Sequence, residues 1–462
     1  MATPLSSLLL SAVVVCALAD AVLGLKGAGL VGAPFLLLYM AREWTLLMRA
    51  ARILIGLCAV LAVLTVVRPD GLPVLMKAAS RMIYFPAFVA VLGLLRAAAS
   101  RSETTAAAGR YLVTQPPSRR YLAMTLGGHF FGILFNIGGL ALLIDMIKKA
   151  NTLETAGGQL WVQELRERRM VVAVMRGFSC IALWSPLGVA LNLLLASMPG
   201  LTWSEVAPYG VALTICFMTL GWIFDRLESP PSRSNAARPT EPRGALAVLR
   251  VIGHVVALSM LGLLAETFVD LPFQALLLVL VPIYAFGWAI LIEVFERRPK
   301  PVQAAASVLH ERGVARFGSY ANEIAVFSTS GFLGVVLVAL SPRDAIQAWI
   351  TASALPPGVV AVGLALTVFC FGFLSINPII TASILAGTFA TIDVPGLSKV
   401  DVVMALAGGW TCVIAVGPAM SSLVMISGQL GRPSSQVGLG WNSRFSFSAF
   451  ALLLVGLYFI RL

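Results

Sequence analysis

Charge is scarce in this chain. Only 12% of its 462 residues are Asp, Glu, Lys or Arg, far below the roughly 25% of soluble domains, and 59% are hydrophobic. That scarcity, with a mean hydropathy of +0.91, excludes a soluble enzyme, a disordered chain and a coiled coil. Histidine occurs three times (His129, His254, His310) without HExxH-type spacing, so no built-in zinc site is expected. The six cysteines (Cys16, Cys58, Cys180, Cys216, Cys370, Cys412) each lie inside an apolar run, and no two form a metal knuckle or redox pair. They read as small hydrophobes. A Walker motif is missing, which excludes an ATP drive of the chain's own, and so is the TVGYG filter of potassium channels. No GxSxG or paired-carboxylate signature of a familiar membrane enzyme is present. No nucleic-acid motif accompanies the net charge of +12.

What fills the chain is apolar sequence. At roughly 20 residues per crossing it suits about a dozen membrane helices. The expected fold is therefore all-α, a polytopic membrane protein of 11–13 transmembrane helices. Residues 5–19 have an apolar core but no positive n-region, and they read as the first helix rather than a signal peptide. Segments 29–41 and 377–391 are short for a full crossing and are candidate half-helices or re-entrant elements. The Pro-, Arg- and Ser-rich stretch 225–245 divides the chain into a membrane half at 1–224 and another at 246–462, with a cytoplasmic linker between them. Stretch 296–320 reads as lying along the membrane surface, and 148–170 as an interfacial helix.

Loops rich in Lys and Arg mark the cytoplasmic side. Two of them, 96–120 and 148–170, flank a single apolar segment, 121–147. Either the charge rule fails there or the segment enters and leaves on one side. FNIGG at 135–139 suits the tip of such a hairpin, because Asn and Gly tolerate a tight reversal. A hairpin at membrane depth needs protein or water around its tip, and so marks a cavity.

An internal repeat is suggested at an offset of 192. Gly139 and Gly331 stand 331 − 139 = 192 apart, and Pro186 and Pro378 stand 378 − 186 = 192 apart. A Pro-Gly-Leu follows at 199–201 and again at 395–397. Two halves, each with an interrupted helix, are the sequence signature of secondary transporters. On this alignment Asn136 and Gly138 form one hairpin tip, and the Ser328-Thr329-Ser330 run forms the other. Ser185-Pro186 with Asn192 makes one broken helix, and Asn377-Pro378 with Thr381 and Ser383 its mate. Helix breaks expose backbone groups and half-helix dipoles to an ion or anion. The bland alternatives are proline kinks, Ser/Thr back-bonding and close packing through small residues. Arg176 is read either as a partner for an anionic solute or, preferentially, as a side chain snorkelling to the interface. Glu323 is read as a proton carrier or a helix cap, and His129 as a further intramembrane ionisable.

The hairpin-then-broken-helix pattern around 127–197 and 322–391, and the ending GPAMSSLVMISGQLGRPSSQVGLGWNSRFSFSAF at 417–450, resemble the ion-transporter superfamily of secondary carriers. That group includes divalent-anion:sodium symporters, arsenite and sodium/proton antiporters, and membrane subunits of tripartite carboxylate transporters. FNIGG and STSG stand where the family carries a Ser-Asn-Thr signature. The resemblance implies inverted repeats, a scaffold and a transport domain, elevator-like movement and a homodimer.

The leading expectation is a secondary active transporter, not an enzyme. It would move a small anionic solute, coupled to a sodium or proton gradient, with no cofactor beyond the coupling ion. Its partners would be that solute and the lipid bilayer, and no nucleic acid. The alternatives are a membrane enzyme of cell-envelope polysaccharide assembly, disfavoured by the short polar loops, and a channel or structural subunit. Ala/Arg-rich composition and short loops suggest a bacterial inner membrane.

Overall fold

The structure is a computed structural model and describes residues 4–25, 27–228 and 244–459, among which there are 22 α-helices and no strand. Among the described residues, eight stretches are long and apolar enough to cross a membrane, and four shorter apolar helices join them. The chain is a multi-pass, all-α membrane protein.

The helices sort into a frame and a core. The frame begins with α1 (Pro4–Ala21), α2 (Ala28–Arg42), α3 (Arg49–Val66), α4 (Gly71–Arg81), α5 (Tyr84–Arg101) and α6 (Glu103–Val113). The core opens with α7 (Pro117–Phe135), α8 (Ile137–Ala150), α9 (Leu160–Ser179), α10 (Ile181–Trp184), α11 (Val189–Ser197) and α12 (Trp203–Glu228). The chain then returns to the frame for α13 (Gly244–Phe268), α14 (Phe273–Phe295), α15 (Pro301–Arg312) and α16 (Ala321–Leu340). Helix α13 packs on α6, α14 on α5, and α16 on α3, α4 and α5. A short α17 (Arg343–Ser353) leads back to the core, which closes with α18 (Pro357–Phe373), α19 (Pro378–Phe389), α20 (Lys399–Ile414), α21 (Ser421–Leu430) and α22 (Trp441–Phe459).

The expected linker starts later than 225. Asp225 to Glu228 continue α12, and the Asp225 carboxylate takes two 2.8 Å hydrogen bonds from Arg169. Residues 229–243 lie outside the described set. Two further expectations are refined. Residues 160–170 are the first turns of α9 and run unbroken into its buried part. Stretch 296–320 forms α15 and a 3-10 turn at Val314–Tyr320.

Glycine fixes how the core packs. A Cβ on Gly128 would come within 2.1 Å of the Val174 carbonyl oxygen, and one on Gly177 within 1.9 Å of that of Thr125. Gly132 faces Phe178 and Ile181. Tyr121 meets Arg176 and, further along, His129 meets Trp184, so α7 and α9 run parallel with their backbones in contact. A second seam has the same form: Gly409 lies against the Ala365 carbonyl and Gly372 against Val413, so α18 and α20 are also parallel. The intervening α8 and α19 must therefore run back. Gly139 lies against Phe131 and Gly127 against Leu143, which makes α7–α8 an antiparallel hairpin about residue 136. Phe389 and Leu397 share a small cluster with Val360, which brings the end of α19 to the start of α18 and closes a second hairpin.

The two units match element by element, α7–α8–α9/α10–α11–α12 with α18–α19–α20–α21–α22. Each shortened helix after a break packs on the returning hairpin arm of the other unit, α11 on α19 and α21 on α8. Polar ties cross between the units at both ends of the bundle. Lys399 Nζ donates to the Pro199 carbonyl at 2.6 Å, joining the two Pro-Gly-Leu turns. At the other end, Lys148 Nζ donates to the Gln429 carbonyl at 2.6 Å, and Arg432 pairs with Glu167 at 2.9 Å and Glu164 at 3.6 Å.

This architecture corrects the offset of 192. The Ser328–Gly331 run is no hairpin tip, because α16 passes straight through it. Asn377-Pro378 is no mate of Ser185-Pro186: it forms the tip of the second hairpin, whereas Ser185-Pro186 interrupts a helix that continues in its original direction.

Candidate functional site

Four chain interruptions lie among the core helices. The first is the tip of the α7–α8 hairpin. Asn136 holds φ 53° and ψ −136°, a conformation that L-residues rarely adopt, with its N–H on the Gly132 carbonyl at 2.7 Å. Asn136 is half-buried and Gly138 exposed. The second is Leu374–Asn377, where Ser375 has φ 71° and residues 374–376 are exposed. Asn377 then caps α19, its Oδ1 accepting from the Ile379 N–H at 3.1 Å, and Pro378 takes the first helical position, where no N–H is needed.

The third interruption is Ser185–Gly188, between α10 and α11. Asn192 secures it, donating from Nδ2 to the Pro186 carbonyl at 2.6 Å and the Gly188 carbonyl at 2.9 Å. The fourth is Ala415–Met420, between α20 and α21, around Gly417-Pro418. Its sequence signal is Gly-Pro inside an apolar run, at the start of the Gly/Pro/Ser-rich ending.

Among the described residues, four buried oxygens near these breaks have no hydrogen-bond partner: Ser185 Oγ, Asn192 Oδ1, Thr381 Oγ1 and Thr411 Oγ1. They sit in the Ser185–Gly188 break, α11, α19 and α20, and α11, α19 and α20 all touch one another. Native interiors rarely leave such groups unmatched, so these oxygens are candidate contacts for a ligand, ion or water. Neutral oxygens suit a dehydrated monovalent cation, and hydroxyls can donate to an anion. Among the described residues no group of three His, Cys, Asp or Glu side chains could hold a metal ion.

Other predicted residues have different settings. Ser328, Thr329 and Ser330 donate back to the Ala325 and Val326 carbonyls inside α16, and Ser383 Oγ donates to the Ile379 carbonyl at 2.6 Å. These hydroxyls are satisfied by their own helices. Arg176 does not snorkel. It is 2% exposed, sits 4.7 Å from the Phe445 ring, and donates to Asn442 Oδ1 at 3.2 Å, Tyr121 Oη at 3.2 Å and the Gly221 carbonyl at 3.3 Å. It thereby binds α9 to α7, α12 and α22. His129 fastens the first hairpin to the broken helix: Nδ1 donates to the Gly177 carbonyl at 2.9 Å and Nε2 accepts from Trp184 Nε1 at 3.0 Å. Glu323 lies in the first turn of α16, 4.0 Å from Arg96, in the frame and away from the breaks.

No family model and no curated protein matches the chain. Among solved structures it is similar to the Alcanivorax borkumensis YdaH transporter, described as having an unusual topology. The identity is 17% and the TM-score 0.58, over 89% of this chain and 99% of that one. At that identity the likeness establishes a shared fold: this chain is built as that transporter is built.

Proposed function

We propose that the protein is a secondary active transporter of a small anionic solute, coupled to a sodium or proton gradient. The observation that carries this reading is the pair of matched units, each with a hairpin tip and a broken helix, around buried oxygens without partners. Breaking a membrane helix exposes carbonyls and N–H groups that only a ligand site repays. With the basic ends of α5, α9 and α14 in the cytoplasm, the first hairpin enters from that side and the second from the opposite one, which makes the units an inverted repeat. The likeness to a transporter fold supports the same reading.

In this mechanism, Ser185, Asn192, Thr381 and Thr411 hold ion and solute through neutral oxygens. The tips at Asn136 and at Ser375–Asn377 act as alternate gates. The core slides against the frame, in an inner membrane and as a homodimer.

A thermal-shift screen of purified protein tests the reading, crossing small carboxylates, sulfate and arsenite with sodium, potassium and pH 5–8. A binder at 100 times its Kd adds about 2.7 kcal/mol to stability. The expected result is a solute whose effect requires sodium or varies with pH and is lost in Ser185→Ala and Thr411→Val. Indifference to every small solute, with stabilisation by lipid-linked sugars, would overturn it in favour of an envelope enzyme.

A further inference from the structure

A crevice of about 320 Å³ opens between frame and core. Its frame wall comes from α4, the start of α5, α16 and the start of α17. Its core wall comes from α11 and α19, from Leu193 to Pro199 and from Ser383 to Thr391, and so begins beside Asn192 and Thr381. The size falls at the lower end of the roughly 300–1,000 Å³ typical of small-ligand pockets. Most of the lining is apolar, with Phe85, Leu193, Val335 and Val338 among it.

Three cations stand among the lining residues, Lys77, Arg81 and Arg343, and no acidic residue does. All three are exposed, and among the described residues none has an ion-pair partner. Lys77 and Arg81 are four residues apart on α4, a spacing at which like charges repel. An anion at the mouth removes that repulsion. An apolar body behind it fills the groove.

We infer that this crevice binds an acyl anion, a long hydrocarbon chain with a carboxylate or phosphate head, seated between frame and core. The head sits among Lys77, Arg81 and Arg343, and the chain lies along Val335, Val338, Leu193 and Ala390. Because its two walls belong to different bodies, the occupant holds one against the other. The site stands on its own geometry and does not require the transport reading.

The test uses delipidated full-length protein and measures binding by thermal shift and native mass spectrometry. The probes are oleate, methyl oleate, inorganic phosphate, and dioleoyl phosphatidylglycerol or phosphatidylcholine in nanodiscs. Oleate or phosphatidylglycerol is expected to bind and raise the melting point, and which of the two does so identifies the source as free acid or membrane lipid. The Lys77→Gln/Arg81→Gln/Arg343→Gln variant is expected to lose at least tenfold in affinity. Ala390→Trp, which keeps the charges and fills the groove, is expected to lose binding as well. Should Ala390→Trp fail to fold, the triple variant changes only exposed side chains and still decides the matter. Equal binding of methyl oleate, phosphatidylcholine or phosphate, or unchanged oleate and phosphatidylglycerol binding in the triple variant, would overturn the inference.

Discussion

Trp184 donates from its indole Nε1 to His129 Nε2 at 3.0 Å, and the two rings stack with centroids 5.8 Å apart. The contact joins α7 of the first hairpin to the residue just before the first helix break. His129 Nδ1 is engaged with Gly177, so one tautomer satisfies both nitrogens. Trp184→Phe keeps a ring and removes the donor, leaving a buried imidazole nitrogen unpaired. It is expected to destabilise the protein by about 1–2 kcal/mol, read as a lower melting point in detergent. An unchanged melting point would show that the contact does not hold the break in place.

The glycine seams make a sharper prediction. Gly177→Ala would place a Cβ 1.9 Å from the Thr125 carbonyl, and Gly409→Ala one 2.5 Å from that of Ala365. Backbone cannot yield as a side chain does, so each should cost at least the ~1–3 kcal/mol of ordinary overpacking. Gly253→Ala and Gly287→Ala meet nothing within 4 Å and serve as controls. Yield of monodisperse protein from size-exclusion chromatography would separate the pairs.

Ser185 and Asn192 should part company on substitution. Ser185 Oγ has no partner, so Ser185→Ala removes an unsatisfied hydroxyl and should leave the melting point unchanged or raised, while solute or ion affinity falls about tenfold. Asn192→Leu instead releases the Pro186 and Gly188 carbonyls and is expected to lower stability by ~1–3 kcal/mol. Binding and melting measured side by side would show the split, and parallel losses in Ser185→Ala would count against a ligand role.

At the first hairpin tip, stability and function should oppose each other. Asn136 occupies a conformation that favours glycine, at a strain of about 1–3 kcal/mol. Asn136→Gly is expected to raise the melting point and Asn136→Val to lower it. If the amide serves the gate, the stabilised glycine variant loses transport in proteoliposomes.

Much of this molecule was legible in its sequence. The apolar runs gave the membrane class, the basic loops around 121–147 with Asn136 and Gly138 gave the first hairpin, and Ser185-Pro186 gave the first break. The pairing of the units was not legible, because X-Pro ends a helix whether the chain then continues or turns back. Pro378 starts the returning arm of a hairpin, whereas Pro186 lies within a break, and a one-dimensional offset cannot tell them apart. Ser328 to Ser330 misled for a related reason: three hydroxyls in a row look like a polar break, yet each can donate to its own helix backbone. Arg176 could not be placed from sequence, since its environment comes from Tyr121, Gly221 and Asn442, far apart in the chain.

The ties of Lys399 to Pro199, Lys148 to Gln429, and Arg432 to Glu164 and Glu167 lace the two units at opposite ends. A body stitched at both rims has no seam along which it can split down the middle. Prising the units apart would break every stitch, whereas moving them as a single block leaves all of them intact. In the movement proposed above, the compliant joint is the border with the frame, where α16 lies beside α19. On that proposal, stiffness within the pair lets displacement at the border carry both gates at once.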